Sequence, residues 1–270
     1  MPVLAAAILL ASACLPVVAS AEVDEAARAA RWAGLRAAIF GDRALEDGTE
    51  LVSIEAPDRA EDAAIVPVRV SFAEAVRPRL SHLYLVIDDN PSPLAGSFAF
   101  GPAARPSAVA TRIRVDDYTY LRAIAETADG HLYATQRFIK AAGGCSAPAG
   151  KDQALAAERI GRMKMTLAGR VRLGEPVEAH LLVSHPNSSG MQMDQLTRNY
   201  VPADFVRSIK VSYNGEAVLT LESDISISED PSLTFAFVPG AAVGELKTEV
   251  DDSSNRHFEQ SWPVKVDPGS

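Results

Sequence analysis

Several things are scarce in this 270-residue chain: aromatics are 6% of it, there are two cysteines, and no apolar run approaches the ~20 residues that span a bilayer as a helix. The net charge is −9, which excludes the basic face that a nucleic-acid partner requires. No glycine-rich phosphate cradle, dinucleotide fingerprint or Ser-His-Asp layout is present. What is there is ordinary globular chemistry, 47% hydrophobic and 23% charged, with Val, Ile and Leu supplying the core. The length suits one large domain or two small ones of ~100–150 residues each.

Met1 to Ala21 carries no charged side chain. The apolar stretch Ala5 to Ala11 and the small-x-small triplet Ala19-Ser20-Ala21 before Glu22 have the layout of a secretory signal peptide, although no Lys or Arg precedes the run. Pro16 interrupts it, and Ala11-Ser12-Ala13-Cys14 is a weak lipoprotein pattern that we set aside. The expectation is an exported chain beginning at Glu22, in which Cys145 is the only thiol.

An unpaired cysteine is unusual in an oxidising compartment. A buried, inert thiol is the ordinary fate of a free cysteine. The run Ala141-Ala142-Gly143-Gly144-Cys145-Ser146-Ala147-Pro148-Ala149-Gly150 has no large side chain and three glycines, so it reads as a mobile solvated loop with an exposed thiol. Lys140 and Lys151 flank it, and no base sits nearby in sequence. A thiol of pKa ~8.5 is only a few per cent ionised at pH 7, which suits a residue acted on by other proteins.

Asp24 to Phe40 is expected to be helical, with Trp32, Leu35 and Ile39 at helical spacing and Gly41 as its stop. Strand patterns follow. Val66, Val68, Val70 and Phe72 alternate with polar or small neighbours, and further runs cover 82–87, 97–100, 111–115, 120–127 and 132–139. Asp129-Gly130 and Asn214-Gly215 are two-residue hairpin signals. After a helical stretch at 151–162, runs at 163–173, 176–184, 207–213, 216–222, 233–237, 246–250 and 258–266 complete the chain. This predicts an all-β protein of two β-sandwiches with an N-terminal helix and a short Gly/Ala-rich linker. The expected division is 1–21 signal peptide, 22–140 first sandwich domain with its helix, 141–162 cysteine loop and linker, and 163–270 second sandwich domain.

Other constellations carry little chemistry. His82, His131, His180, His185 and His257 show no ligand spacing, so neither a metal nor another cofactor is expected. Asp251-Asp252-Ser253-Ser254-Asn255 lacks the glycine and terminal Glu of a calcium loop and reads as a solvated hairpin tip. Asn187-Ser188-Ser189 is a glycosylation triplet by pattern only, and Trp32 and Trp262 read as packing residues.

Gly143-Gly144-Cys145 at the end of a β-rich half resembles the sulfur-carrying terminus of SoxY. Phe40-Gly41-Asp42-Arg43, Ile65-Val66-Pro67-Val68, Asp89-Asn90-Pro91-Ser92-Pro93 and Thr111-Arg112-Ile113-Arg114 support that likeness. The second half is similar to SoxZ through His185-Pro186 to Gly190, Asp194, Val201-Pro202-Ala203-Asp204-Phe205 and Tyr213-Asn214-Gly215. The whole resembles the fused SoxYZ-like carriers associated with quinoprotein dehydrogenases. That resemblance implies immunoglobulin-like sandwiches, a periplasmic location, and a non-catalytic carrier holding a sulfur intermediate covalently on Cys145, with Gly143 and Gly144 as its flexible arm. Its implied partners are sulfur-processing or redox enzymes such as a c-type cytochrome or a quinoprotein dehydrogenase. The alternative is an accessory binding protein of such a dehydrogenase, with no covalent cargo.

Two departures matter. Ser146 and Ala147 replace the family's glycines after the cysteine, and the chain continues where the family's arm ends. A loop tied at both ends enters a partner as a doubled strand. From Lys140 the thiol reaches at most ~17 Å at ~3.4 Å per residue, so an open cleft suits it better than a tunnel.

Overall fold

The computed structural model describes residues 18–148, 158–195 and 197–267, with side chains from residue 25 onward. The expected signal peptide therefore lies mostly outside the described residues, as does most of the expected helix at 151–162. Two units emerge, Met1–Gly41 and Asp42–Ser270. The first contains α1 (Val18–Phe40), which covers the expected helix; Gly41 ends it with φ +62° and donates its N–H to Ala37 O over 3.0 Å. No helix among the described residues is long and apolar enough to cross a membrane.

The second unit is built of fifteen strands. The first eight are β1 (Leu45–Asp47), β2 (Val52–Glu55), β3 (Val66–Phe72), β4 (Leu80–Ile87), β5 (Leu94–Phe100), β6 (Ala108–Ile113), β7 (Thr119–Thr127) and β8 (Leu132–Ile139). The rest are β9 (Met163–Leu167), β10 (Val177–Val183), β11 (Val206–Tyr213), β12 (Glu216–Ser223), β13 (Ser232–Phe237), β14 (Val243–Asp252) and β15 (His257–Lys265). Alternation decides most of them: in β3 the apolar Val66, Val68, Val70 and Phe72 face inward while Pro67 faces out. Asn214 and Gly215 both take positive φ, +52° and +80°, which is the turn that joins β11 and β12 without splaying them.

Among the described residues the chain is mostly β, with α1 and a short 3-10 turn at Arg77–Arg79, and has the two expected immunoglobulin-like halves, joined edge to edge rather than only by a loop. They share both sheets. One has nine strands in the order β1-β8-β7-β4-β5-β12-β11-β14-β15, and the other six in the order β2-β3-β6-β13-β10-β9. The first seam is a ladder running from Phe100↔Leu219 to Gly96↔Ser223, whereas β6 and β13 pair only at Ala110↔Thr234. A single hydrophobic cluster runs through both halves, with Phe98 and Ile113 from one and Leu221, Ile227 and Phe237 from the other.

Three local expectations change. Short β1 and β2 escape the pattern because β1 pairs in parallel with β8 and β2 offers only Val52 and Ile54 to the core. The run expected to continue to residue 173 stops at Leu167, because Gly169 and Gly174 at φ +71° and +76° turn the chain and leave Leu173 exposed. β6 ends at Ile113, so Arg114 and Val115 belong to a loop at the seam.

Candidate functional site

Past β8, Lys140 donates its N–H to Asp58 O over 2.8 Å and accepts from Ala60 N over 3.1 Å. The next residues form a turn rather than a free loop. Gly143, at φ +76°, donates to Asp116 O over 2.8 Å, and Gly144 donates to Val115 O over 3.0 Å. A Cβ at Gly144 would lie 2.1 Å from Ala63 O, so only glycine allows this approach. The two glycines that composition marks as a flexible arm are thus pinned. One supplies a left-handed backbone and the other a close backbone contact.

Cys145 is wholly buried, which overturns the expected exposed thiol. Its N–H donates to Asp116 Oδ1 over 3.3 Å and its carbonyl accepts from Ser189 Oγ. Burial pushes the thiol pKa up to about 12, Asp116 adds to the rise, and the Arg114 charge opposes it. Such a thiol is ionised to only about 10⁻⁵ at pH 7 and is inert while the turn stays closed. Composition misled here because small residues fit a tight polar pocket as readily as a solvated loop.

The pocket wall comes from both halves. From the first, Arg114 is 1% exposed and donates to Gly144 O through Nη1 over 3.2 Å. Its Nη2 donates over 3.2 Å to Asn187 O of the second half. Asn90 ties the 114–116 loop down, its Nδ2 donating to Arg114 O over 2.8 Å and its Oδ1 accepting from Asp116 N over 2.9 Å. From the second half, Gln192 Nε2 donates to Ala147 O over 3.0 Å. Asn187, at φ +45°, donates from Nδ2 to Ile227 O and accepts at Oδ1 from Val206 N, both at 2.9 Å. The apparent glycosylation triplet is therefore buried: Asn187, Ser188 and Ser189 are 0%, 5% and 4% exposed.

A second polar cluster lies behind this wall. His185 Nδ1 accepts from Asn187 N over 3.0 Å, and its Nε2 lies 3.4 Å from Asp252 Oδ2. Arg256 donates to Asp252 from Nε over 2.5 Å and to both Asp204 oxygens from Nη2 over 2.6 Å. His185, Asp204 and Asp252 come within ligand distance of one another, but the guanidinium already bonds both carboxylates where a cation would bind. Asp252, expected on a solvated hairpin tip, is fully buried, since it also caps that tip through Ser254 N and Arg256 N, each at 2.9 Å. Among the described residues His257 lies with Glu249 and Glu259 in a second, more exposed group of this kind, apart from His185.

This is a two-sheet immunoglobulin-like protein with its described thiol set into the seam between its halves. Residues 36–145 match the family model for sulfur oxidation protein SoxY, and residues 165–263 match that for sulphur oxidation protein SoxZ. The chain is a fused SoxYZ-like protein, of the sulfur-oxidation carrier type. Among solved structures it is similar to the sulfur carrier protein SoxY from Chlorobium limicola f thiosulfatophilum, at 28% identity and a TM-score of 0.38, covering 44% of this chain and 99% of that one. A comparison with curated protein sequences finds no match.

Some of the stretches that carried the resemblance also hold the cysteine turn. Asn90, Arg114 and the 185–190 segment meet there, although nothing in their spacing along the chain announces it.

Proposed function

We propose that this protein is an exported, periplasmic carrier that holds a sulfur-containing group covalently on Cys145 while partner enzymes process it. The observation that carries this reading is the position of Cys145. It is the last residue of the SoxY match, and its Gly-Gly turn is held by side chains from both halves. SoxYZ carriers work with sulfur-processing enzymes, and we assign partners of that class here. The first twenty-one residues support export.

Burial shapes how the carrier works. Loading requires the turn to open, and the second half holds it through two hydrogen bonds, from Ser189 and Gln192. Each is worth about 0.5–1.5 kcal/mol, so that side contributes about 1–3 kcal/mol, and opening must also release the turn's bonds to Asp116, Val115 and Arg114 of the first half. The pocket is polar rather than aliphatic, which suits a thiol that is stored rather than one that fills a core.

Intact-mass measurement of protein from its native host is the test. An adduct confined to the Cys145 peptide, lost in Cys145→Ser with both halves still folded, supports the carrier. A homogeneous free thiol, unchanged by sulfur donors, refutes it. The burial of Cys145 favours one other reading, an accessory binding protein without covalent cargo. There Cys145→Ser is silent and complex formation with the exported dehydrogenase survives.

A further inference from the structure

Two arginines of the second unit, Arg122 and the part-exposed Arg256, are held by carboxylates, whereas half-buried Arg112 donates to the Asp230 carbonyl and leaves its own Nε–H without a partner among the described residues. Arg122 grips Asp88 at 2.7 to 2.9 Å, and Arg256 holds Asp204 and Asp252. Arg114 differs. It is more deeply buried than either, yet its hydrogen bonds go to two backbone carbonyls, both at 3.2 Å. No carboxylate hydrogen-bonds it among the described residues, and its Nε–H has no partner there. Glu229 and Asp62 act on it only through their fields, as does Cys145. A deeply buried guanidinium whose hydrogen bonds all go to neutral carbonyls keeps its attraction for an anion that can reach it.

We infer that Arg114 is the recognition cation for the cargo: its guanidinium, sealed beside the Cys145 turn, receives the negative end of an anionic sulfur adduct on that cysteine. This rests on the carrier reading. An S–S bond extends the thiol by about 2 Å, and the guanidinium is already bonded to the carbonyl before Cys145. The planar N–H fork suits an oxyanion, whereas a neutral adduct leaves the charge unanswered. Asp116, on the Cys145 N–H, faces the same turn with negative charge, so the anion is directed to the Arg114 side.

The test compares two thiol reagents on the full chain. With tetrathionate, the Cys145 thiol loses its proton to buffer and attacks a central sulfur, forming Cys–S–S–SO₃⁻ and releasing thiosulfate. With methyl methanethiosulfonate, the same thiolate forms neutral Cys–S–S–CH₃ and releases methanesulfinate. Rates are read by mass for wild type, Arg114→Gln and Arg114→Lys. The tetrathionate-to-methanethiosulfonate rate ratio is expected to fall about tenfold in Arg114→Gln, and Arg114→Lys retains part of it, as one lost charge contact predicts. A ratio that stays constant while both rates shift together reports access only and overturns the assignment, leaving the carrier intact. Should neither reagent modify wild-type Cys145, the carrier reading falls and this inference with it. A second measurement needs no variant: the thiosulfonate-loaded wild type melts above the methylthio-loaded form, and the reverse order refutes the role of Arg114.

Discussion

The two seams between the halves are made differently. In the nine-stranded sheet, β5 and β12 join through a ladder of five residue pairs. In the six-stranded sheet, β6 and β13 share one pair, and backbone bonds continue beyond it from Arg114 N to Ser226 O at 2.8 Å and from Ser228 N to Arg112 O at 3.1 Å. Side chains add Asn90 to Ser226 at 2.9 Å, Ser228 to Ala64 O at 2.8 Å, and Arg114 to Asn187 O. A backbone ladder is cooperative and hard to open, whereas individual polar contacts can exchange one at a time. Arg114 and the 114–116 loop directly follow β6 of the sparse seam and reach the Cys145 turn from there. The two seams therefore differ in the length of their ladders, and the cysteine turn lies beside the shorter one.

The difference can be tested by damaging each seam in turn. At the ladder, Leu221 is 1% exposed opposite Phe98, so Leu221→Ala loses about 2–5 kcal/mol as measured by the denaturant midpoint. At the cysteine turn, Gly144→Ala forces the new methyl onto Ala63 O. It is expected to cost about 1–3 kcal/mol and to speed Cys145 labelling, whereas Leu221→Ala in native buffer does not.

Acid separates the seams further. Burial holds the His185 imidazole below its ordinary 6.5, although Asp204 and Asp252 pull it upward. The unfolded histidine takes its proton near 6.5 and the folded one only at lower pH. Stability contributed by the neutral ring is thus full above 6.5 and is lost as pH falls through that window, at up to about 1.4 kcal/mol per pH unit. His185→Gln is expected to flatten the slope of midpoint against pH between 7.5 and 5. Least of all, Arg69→Gln removes an exposed 3.1 Å ion pair to Glu178 across the sparse seam and changes stability by less than about 1 kcal/mol.

Much of the architecture was legible because it follows from local chemistry. The inward valines of β3, the Asn214-Gly215 turn and the Trp32-Leu35-Ile39 stripe each carry their periodicity in neighbouring residues. Cys145 itself stood out as the one cysteine after the first twenty-one residues, preceded by two glycines. Its surroundings were not legible. Arg114 reads as one more alternating strand residue, Asn187 as part of a triplet without meaning and Asp252 as a solvated acid, because the partners that bury them include residues dozens of positions away.

Sequence periodicity settled the fold class, the helix and most strands, since alternation and turn chemistry act over a few residues. Only the folded chain decided that the halves share their sheets, that the Gly-Gly turn is pinned, and that a guanidinium bonded only to backbone carbonyls holds that turn. Those features depend on burial and on long-range pairing, which bring together groups that short-range order along the chain does not relate.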